Sequence, residues 1–175
     1  MTDAPKAEWS VRLATSSEWP ALAALRHLSH SQSFKPYASE AFLTSRLLGD
    51  YERDWKTHLQ DRRFFTWVAV IDEIIVGMVS IKENASYKSV GDDGRVAYLE
   101  GMHVRPGSMR RGIGRALIQR ALKQARSDAY SAVYLYVMKG NFPAMRLFQS
   151  EGWNPVQEIH KGEEGVPILL CRREV

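Results

Sequence analysis

Arg110-Arg111-Gly112-Ile113-Gly114-Arg115 places three arginines and two glycines within six residues. Glycines let a backbone come close to a ligand. Where a helix starts at such a turn, its free N–H groups and its dipole favour an anion. A phosphate or pyrophosphate is the group this turn would hold. The surrounding charge agrees, since seven basic residues between Arg105 and Asp128 stand against one acidic residue. A dinucleotide fingerprint would need a third glycine where Leu117 stands, and a P-loop would need Gly-Lys followed by Ser or Thr. Neither is present. A glycine-bearing helix entry on a solvated basic face is the plain alternative, and a basic helix against nucleic acid is another.

Glu100 lies between Leu99 and Gly101 in an otherwise apolar run. A carboxylate there is costly unless it has a partner or a task. It suits a general base, or equally a partner for a nearby arginine. His103 has a ring whose ordinary pKa of about 6.5 also suits a base. Strand alternation turns it to the face opposite Glu100, unless a bulge intervenes. Tyr134 and Tyr136 share one face of a later strand, where packing explains them equally well. His27, His30, His58 and His160 show no spacing that suggests a metal, so none is expected. Cys171, beside Leu169 and Leu170, reads as a core thiol.

These residues need elements to hold them. A strand over 96–104 carries Glu100 and His103 and is closed by Arg105-Pro106. An amphipathic helix follows, with Ile113, Leu117, Ala121 and Ala125 on one face beside Ile118 and Leu122. A strand over 132–138, a helix over 142–151 ended by Gly152, and a hairpin of 156–160 with 167–172 complete the chain. Upstream, a strand over 10–14 precedes a helix marked by Trp19, Leu22, Leu25 and Leu28, with Thr15 to Ser17 as cap candidates. A second helix opens at Ser39 and is ended by Gly49. A third, short one carries Tyr51, Trp55 and Leu59. Residues 64–71 and 74–81 form a hairpin turned at Asp72-Glu73. The polar stretch 82–95 is a loop whose length suits a functional one. The order predicts an α/β fold with a mixed sheet, in which 96–104, helix and 132–138 make a parallel unit.

The chain has 175 residues, of which 45% are hydrophobic and 25% charged. That predicts one domain, 10–175, after a flexible N-terminus, 1–9. The net charge of +4 is small beside the local excess after Arg105. A single cysteine excludes an internal disulfide and a cysteine-cluster zinc site. No secretory pattern opens the chain, and no run approaches the roughly 20 apolar residues of a membrane span. A cytoplasmic protein without a membrane partner is expected.

The run from Tyr98 to Leu117, with Val104-Arg105-Pro106 followed by Arg111-Gly112-Ile113-Gly114, resembles the central motif of the GNAT superfamily of acyl-CoA-dependent N-acetyltransferases. Asn141-Phe-Pro-Ala144-Met-Arg-Leu147-Phe148, closing at Gly152-Trp153, resembles that family's second signature. The resemblance covers nearly the whole chain. It implies a GNAT-like mixed, mostly antiparallel sheet with a splayed central strand pair and flanking helices. It also implies acetyl-CoA as co-substrate. The backbone of Met102, His103 and Val104 would meet the pantetheine arm. Arg110, Arg111, Gly112, Ile113, Gly114 and Arg115 would hold the pyrophosphate, and Asn141 would touch the arm. Met109 stands where Gln or Arg is usual, a small departure because backbone atoms do the holding.

Acetyl transfer to an amine needs a base for the nitrogen and benefits from an acid for the leaving sulfur. Tyr98-Leu-Glu-Gly resembles the aminoglycoside-acetylating branch, which implies a part for Glu100 in amine binding or deprotonation, and Glu100 is the first choice for the base. The family's usual tyrosine acid is replaced by Phe148, so either Tyr136 or another hydroxyl substitutes, or the thiolate leaves unassisted. The acceptor is expected to be a small-molecule amine, polyamine or aminoglycoside-like, rather than a peptide. Trp19, Phe34, Tyr37, Trp55, Tyr87, Asp92, Asp93, Glu163 and Glu164 are candidates to line its pocket. No nucleic acid is expected as a partner; a homodimer is among the assemblies the reading allows. The competing function is an acyl-CoA sensor of the same fold without turnover, for which Phe148 is the argument.

Overall fold

Runs rich in β-branched and aromatic residues form seven strands: β1 (Ser10–Leu13), β2 (Phe64–Ile71), β3 (Ile74–Glu83), β4 (Arg95–Val104), β5 (Tyr130–Met138), β6 (Asn154–Lys161) and β7 (Val166–Glu174). The structure is a computed structural model and describes residues 8–84, 86, 92, 94–161 and 166–175. One sheet runs in the order β1-β2-β3-β4-β5-β7-β6. All its pairings are antiparallel except β4 with β5, which is parallel. That exception is the unit the strand–helix–strand order predicted. Asp72 and Glu73 both take positive φ, as a tight two-residue hairpin requires.

The helices are α1 (Trp19–Leu28), continued by a π-helical turn at Ser29–Ser33, then α2 (Glu40–Thr44), α3 (Leu48–His58), α4 (Ile113–Ser127) and α5 (Phe142–Ser150). They cover the two faces of the sheet with separate apolar layers. Ile113, Leu117, Ile118 and Leu122 of α4 pack with Val79, Ile81, Leu99 and Leu135. Leu22, Leu25, Tyr51 and Trp55 of α1 and α3 pack with Val68, Val70, Ile75 and Met78 on the other side.

One expectation about the helices is corrected. The helix expected to run from Ser39 to Gly49 breaks after Thr44, where the Thr44 and Ser45 hydroxyls donate to Glu40 and Phe42 carbonyls. A new helix starts at Leu48 and runs through Gly49, because the Asp50 carboxylate accepts the Leu47 N–H at 2.9 Å. Trp9 packs against the α4 layer, and residues 1–7 of the expected N-terminal segment lie outside the described residues.

The centre of the sheet departs from regularity twice. The β4–β5 ladder runs from Arg95↔Tyr130 to Tyr98↔Tyr134 and stops, although β4 continues to Val104 and β5 to Met138. The two strands therefore splay, as expected. The β3–β4 register also shifts between Met78 and Ser80, so that Gly101 and Met102 together oppose Val79. Gly101 takes φ +64, which a residue with a Cβ resists. The bulge overturns the alternation argument for His103. Glu100 pairs with Ser80 and His103 with Met78, two residues apart on β3, so both side chains share one face.

Candidate active site

On the α4 side the site is made of backbone. Gly112 takes φ +83 and opens α4 with no side chain capping the helix. The first turn is closed by Ala116 N–H donating to Gly112 O at 3.0 Å. The N–H groups of Ile113, Gly114 and Arg115 therefore have no carbonyl behind them. Arg110 also holds a positive φ of 61, a conformation that persists in non-glycine residues only where the surroundings impose it. The exposed Arg110 and half-buried Arg111 flank this concavity. An uncapped helix start after a left-handed glycine fits a pyrophosphate, so the residues present suit the implied co-substrate.

Individual side chains divide from that picture. Ile113 is buried, which leaves only its N–H for a ligand. The Arg115 guanidinium donates to Glu151 at 2.7 Å and so is tied to the end of α5. Its expected phosphate role falls to its backbone. Gly114 lies under the side chains of Met102 and Leu147. Met102 and Val104 both point to this α4 layer, while their strand edge faces the splay. Asn141 caps α5, its side chain accepting the Ala144 N–H at 3.3 Å, so its amide NH2 is the part left for a ligand.

Across the sheet the site is made of side chains. Glu100 has a side chain 41% exposed and pairs with Lys82 at 3.4 Å. His103 is 7% exposed, and its Nε2 accepts an N–H from Arg26 of α1. Burial, reinforced by the Arg26 charge, pushes the His103 pKa well below the ordinary histidine value. The ring is therefore neutral, and because a guanidinium can only donate, the proton sits on Nδ1. Its basic lone pair is occupied, which removes His103 as a general base. His58 packs between Trp55 and Phe64, and burial lowers its pKa to about 4. Phe34 stands 6.1 Å from His103 by ring centroids, and Trp55 lies against Gly101.

Sequence reasoning misses Arg26 altogether, reads Tyr51 only as a position of a short helix and weighs His58 only as a metal ligand. The signal available was a cation among the apolar positions of α1, followed by the polar Ser29–Ser33 turn. Such π-helical turns recur at functional sites. Tyr136 is half-buried on the same face of the sheet, edge-on to Tyr98 at 5.7 Å between ring centroids. Phe148, by contrast, is packed edge-on against Trp153 at 5.9 Å and lines a small apolar cavity with Val137, Met145, Leu169 and Cys171. Burial raises the Cys171 thiol to about 11, so it is inert as a nucleophile.

Of the acceptor candidates, Asp92 is committed elsewhere. Its carboxylate accepts the Tyr134 hydroxyl and two N–H groups of Arg172, the nearer at 2.7 Å, with 1% of the side chain exposed. Trp19 packs beside the α1–α3 layer. Tyr87, Asp93, Glu163 and Glu164 lie outside the described residues. Among the described residues no His, Cys, Asp and Glu side chains converge as a metal site, and no helix is long and apolar enough to cross a membrane.

The chain matches the model of the Acetyltransferase (GNAT) family over residues 22–153, well over half its length. It belongs to that family. No curated protein sequence matches it. Among solved structures it is similar to the PaiA N-acetyltransferase of Thermoplasma acidophilum in complex with coenzyme A, with a TM-score of 0.77 at 14% identity over 96% of this chain and 99% of that one. It is also similar to a ribosomal-protein-alanine N-acetyltransferase from Brucella melitensis, with a TM-score of 0.75 at 19% identity over 95% and 99%. YncA from Salmonella typhimurium, a putative acetyltransferase solved with its cofactor acetyl-CoA, gives 0.72 at 13% identity over 95% and 94%. At such identities the likeness is one of fold.

Proposed function

We propose that this chain moves an acetyl group from acetyl-CoA to the primary amine of a small molecule, both substrates being bound together. Residues 10–175 act as one domain, since a single sheet runs from β1 to β7. The observation that carries the reading is the splay. It opens the sheet between the backbone cradle at α4 and the face that bears Glu100. The GNAT family match and the complexes of the PaiA and YncA proteins support acetyl-CoA as the donor.

Bound acetyl-CoA supplies the activated acetyl thioester. The N–H groups of Ile113, Gly114 and Arg115, with Arg110 and Arg111 beside them, hold its pyrophosphate. The free edge of Met102 to Val104 aligns the pantetheine arm with the Asn141 amide. Glu100 takes the proton that the acceptor nitrogen must lose as the C–N bond forms. Tyr136, the half-buried hydroxyl beyond the end of the β4–β5 ladder, returns a proton to the sulfur as the C–S bond breaks. Small amines are favoured over peptides because Glu100, Arg26, Tyr98 and Tyr136 are all half-buried rather than spread along an exposed edge.

The test is release of free thiol from acetyl-CoA in the presence of a panel of amines. Amine-dependent release is expected, and Glu100→Gln should lower kcat by on the order of 100-fold with acetyl-CoA affinity retained. Stabilisation by acetyl-CoA without turnover on any amine would instead favour the sensor function, which Phe148 at the usual acid position first suggested.

A further inference from the structure

The face that bears Glu100 holds a guanidinium, that of Arg26, which no carboxylate of the described residues meets at ion-pair distance. Arg26 is half-buried as a residue, and burial of its guanidinium is the main influence pulling its pKa down. One of its N–H groups goes to the neutral His103 ring. Among the described residues it forms no ion pair, because the nearby carboxylates are engaged by other cations. Asp54 pairs with Arg46, Asp50 with Arg53 at 2.5 Å, and Glu100 with Lys82. Arg46 is in addition stacked over the Tyr51 ring at 4.4 Å. Glu100 is the carboxylate whose charge acts on Arg26 from beyond ion-pair distance, and the neutral Tyr51 hydroxyl, on a residue only 1% exposed, has no hydrogen-bond partner among the described residues.

Among the described residues, Arg26 and Tyr51 are thus donors that meet no acceptor at hydrogen-bond distance beyond the His103 ring. A buried cation without a close anionic partner is strongly unfavourable, and of the described carboxylates Glu100, itself paired with Lys82, acts on it only from beyond ion-pair distance. What relieves it is a group that only accepts hydrogen bonds and carries one negative charge, since the other charges nearby are already balanced in pairs. A carboxylate meets both conditions, and its planar oxygens match the guanidinium fork. A polycation would add charge of the wrong sign.

Resting on the acetyl-transfer reading above, we propose that the acceptor is an amine of amino-acid size carrying a carboxylate, with Arg26 taking the carboxylate and Glu100 facing the amine. The bulge at Gly101 is what makes this arrangement available. It brings His103, which holds Arg26, onto the face of Glu100, with about 7 Å of strand between the two positions. That span suits a small molecule bearing both groups. Arg26 is a specificity residue here and takes no part in proton transfer.

The experiment compares matched acceptors: free amino acids, their methyl esters, the corresponding decarboxylated amines, a polyamine and an aminoglycoside. The wild-type protein is expected to prefer the free amino acid at least tenfold in kcat/KM over its ester. Arg26→Gln should erase that gap by slowing only the carboxylated substrates, and Arg26→Lys should restore part of it. An ester or a polycation used as well as the free acid overturns the proposal, as does a gap that survives Arg26→Gln. A second readout does not depend on turnover. Calorimetry of CoA-saturated protein with N-acetyl amino acids and with their methyl esters should show at least tenfold tighter binding of the free acids, lost in Arg26→Gln. If no amine is acetylated but this selectivity is present, the anion site stands and the transferase reading fails. If the selectivity is absent, the anion site fails whatever the turnover.

Discussion

The two faces of the sheet offer different kinds of groups to the proposed ligands. At α4 these are main-chain N–H donors of Ile113, Gly114 and Arg115, set by one left-handed glycine. Their side chains do other work: Ile113 fills the core and Arg115 ties down α5. Under α1 and α3 the groups proposed to face a ligand are the side chains of Glu100 and Arg26, and their positions depend on a bulge and on three packed elements. A backbone cradle tolerates changes of side chain and suits a co-substrate shared by a whole family. A side-chain pocket changes with single substitutions, which suits an acceptor that differs between family members. The two faces should accordingly respond to different variants and in different measurable quantities.

Gly112→Val should have the largest effect on the cradle. A β-branched residue at φ +83 costs at least about 1–2 kcal/mol, and its side chain also occupies the approach to the helix start. Affinity for acetyl-CoA is expected to fall tenfold or more by calorimetry, whereas Glu100→Gln leaves that affinity unchanged. If Glu100→Gln weakens acetyl-CoA binding as much as Gly112→Val does, the two faces are not separate. Tyr136→Phe comes next. Removing a single proton donor whose leaving group is a thiol should lower kcat by about tenfold, with KM for acetyl-CoA held. An unchanged kcat would mean that the sulfur departs without help from Tyr136.

The acceptor side should also carry the acid sensitivity of the fold. With His58 held near about 4 by burial, and an ordinary histidine value of 6.5, the unfolded chain binds a proton between those values that the folded chain does not. Stability from this group is fully present above about pH 6.5 and drains away as pH falls towards 4. His30 and His103 are shifted in the same direction and add to the loss. In urea unfolding, His58→Phe should lose less stability than the wild type between pH 7 and pH 5. Equal losses in both proteins would assign the effect to the other two histidines. Phe148→Tyr should be the smallest functional change. The new hydroxyl enters an apolar cavity without a partner and costs about 1–3 kcal/mol of stability, while kcat stays within about twofold. A large rise in kcat would restore the family's usual acid position to the mechanism.

Legibility in the sequence followed the same division. The hairpin at Asp72-Glu73, the parallel unit and the glycine turn before α4 were all readable, because each rests on residues adjacent in the chain. The break between α2 and α3 was misread because Gly49 looked like a stop, whereas the Asp50 carboxylate starts a helix by accepting the Leu47 N–H. His103 was placed on the wrong face because the bulge at Gly101 inserts one residue into β4. Arg26 was passed over because nothing within α1 marks it. Its partner His103 is 77 residues away.

From its own order of residues the chain determined the sheet-and-helix plan, the glycine turn before α4 and the family, since local hydrogen bonding and short spacing encode all three. Only the tertiary structure decided which side chains meet across the sheet. The bulge set Glu100 and His103 side by side, the splay opened the space between β4 and β5, and burial left the Arg26 guanidinium desolvated beside a neutral His103 ring. Those outcomes depend on registers and burial between distant segments, which no spacing along the chain expresses.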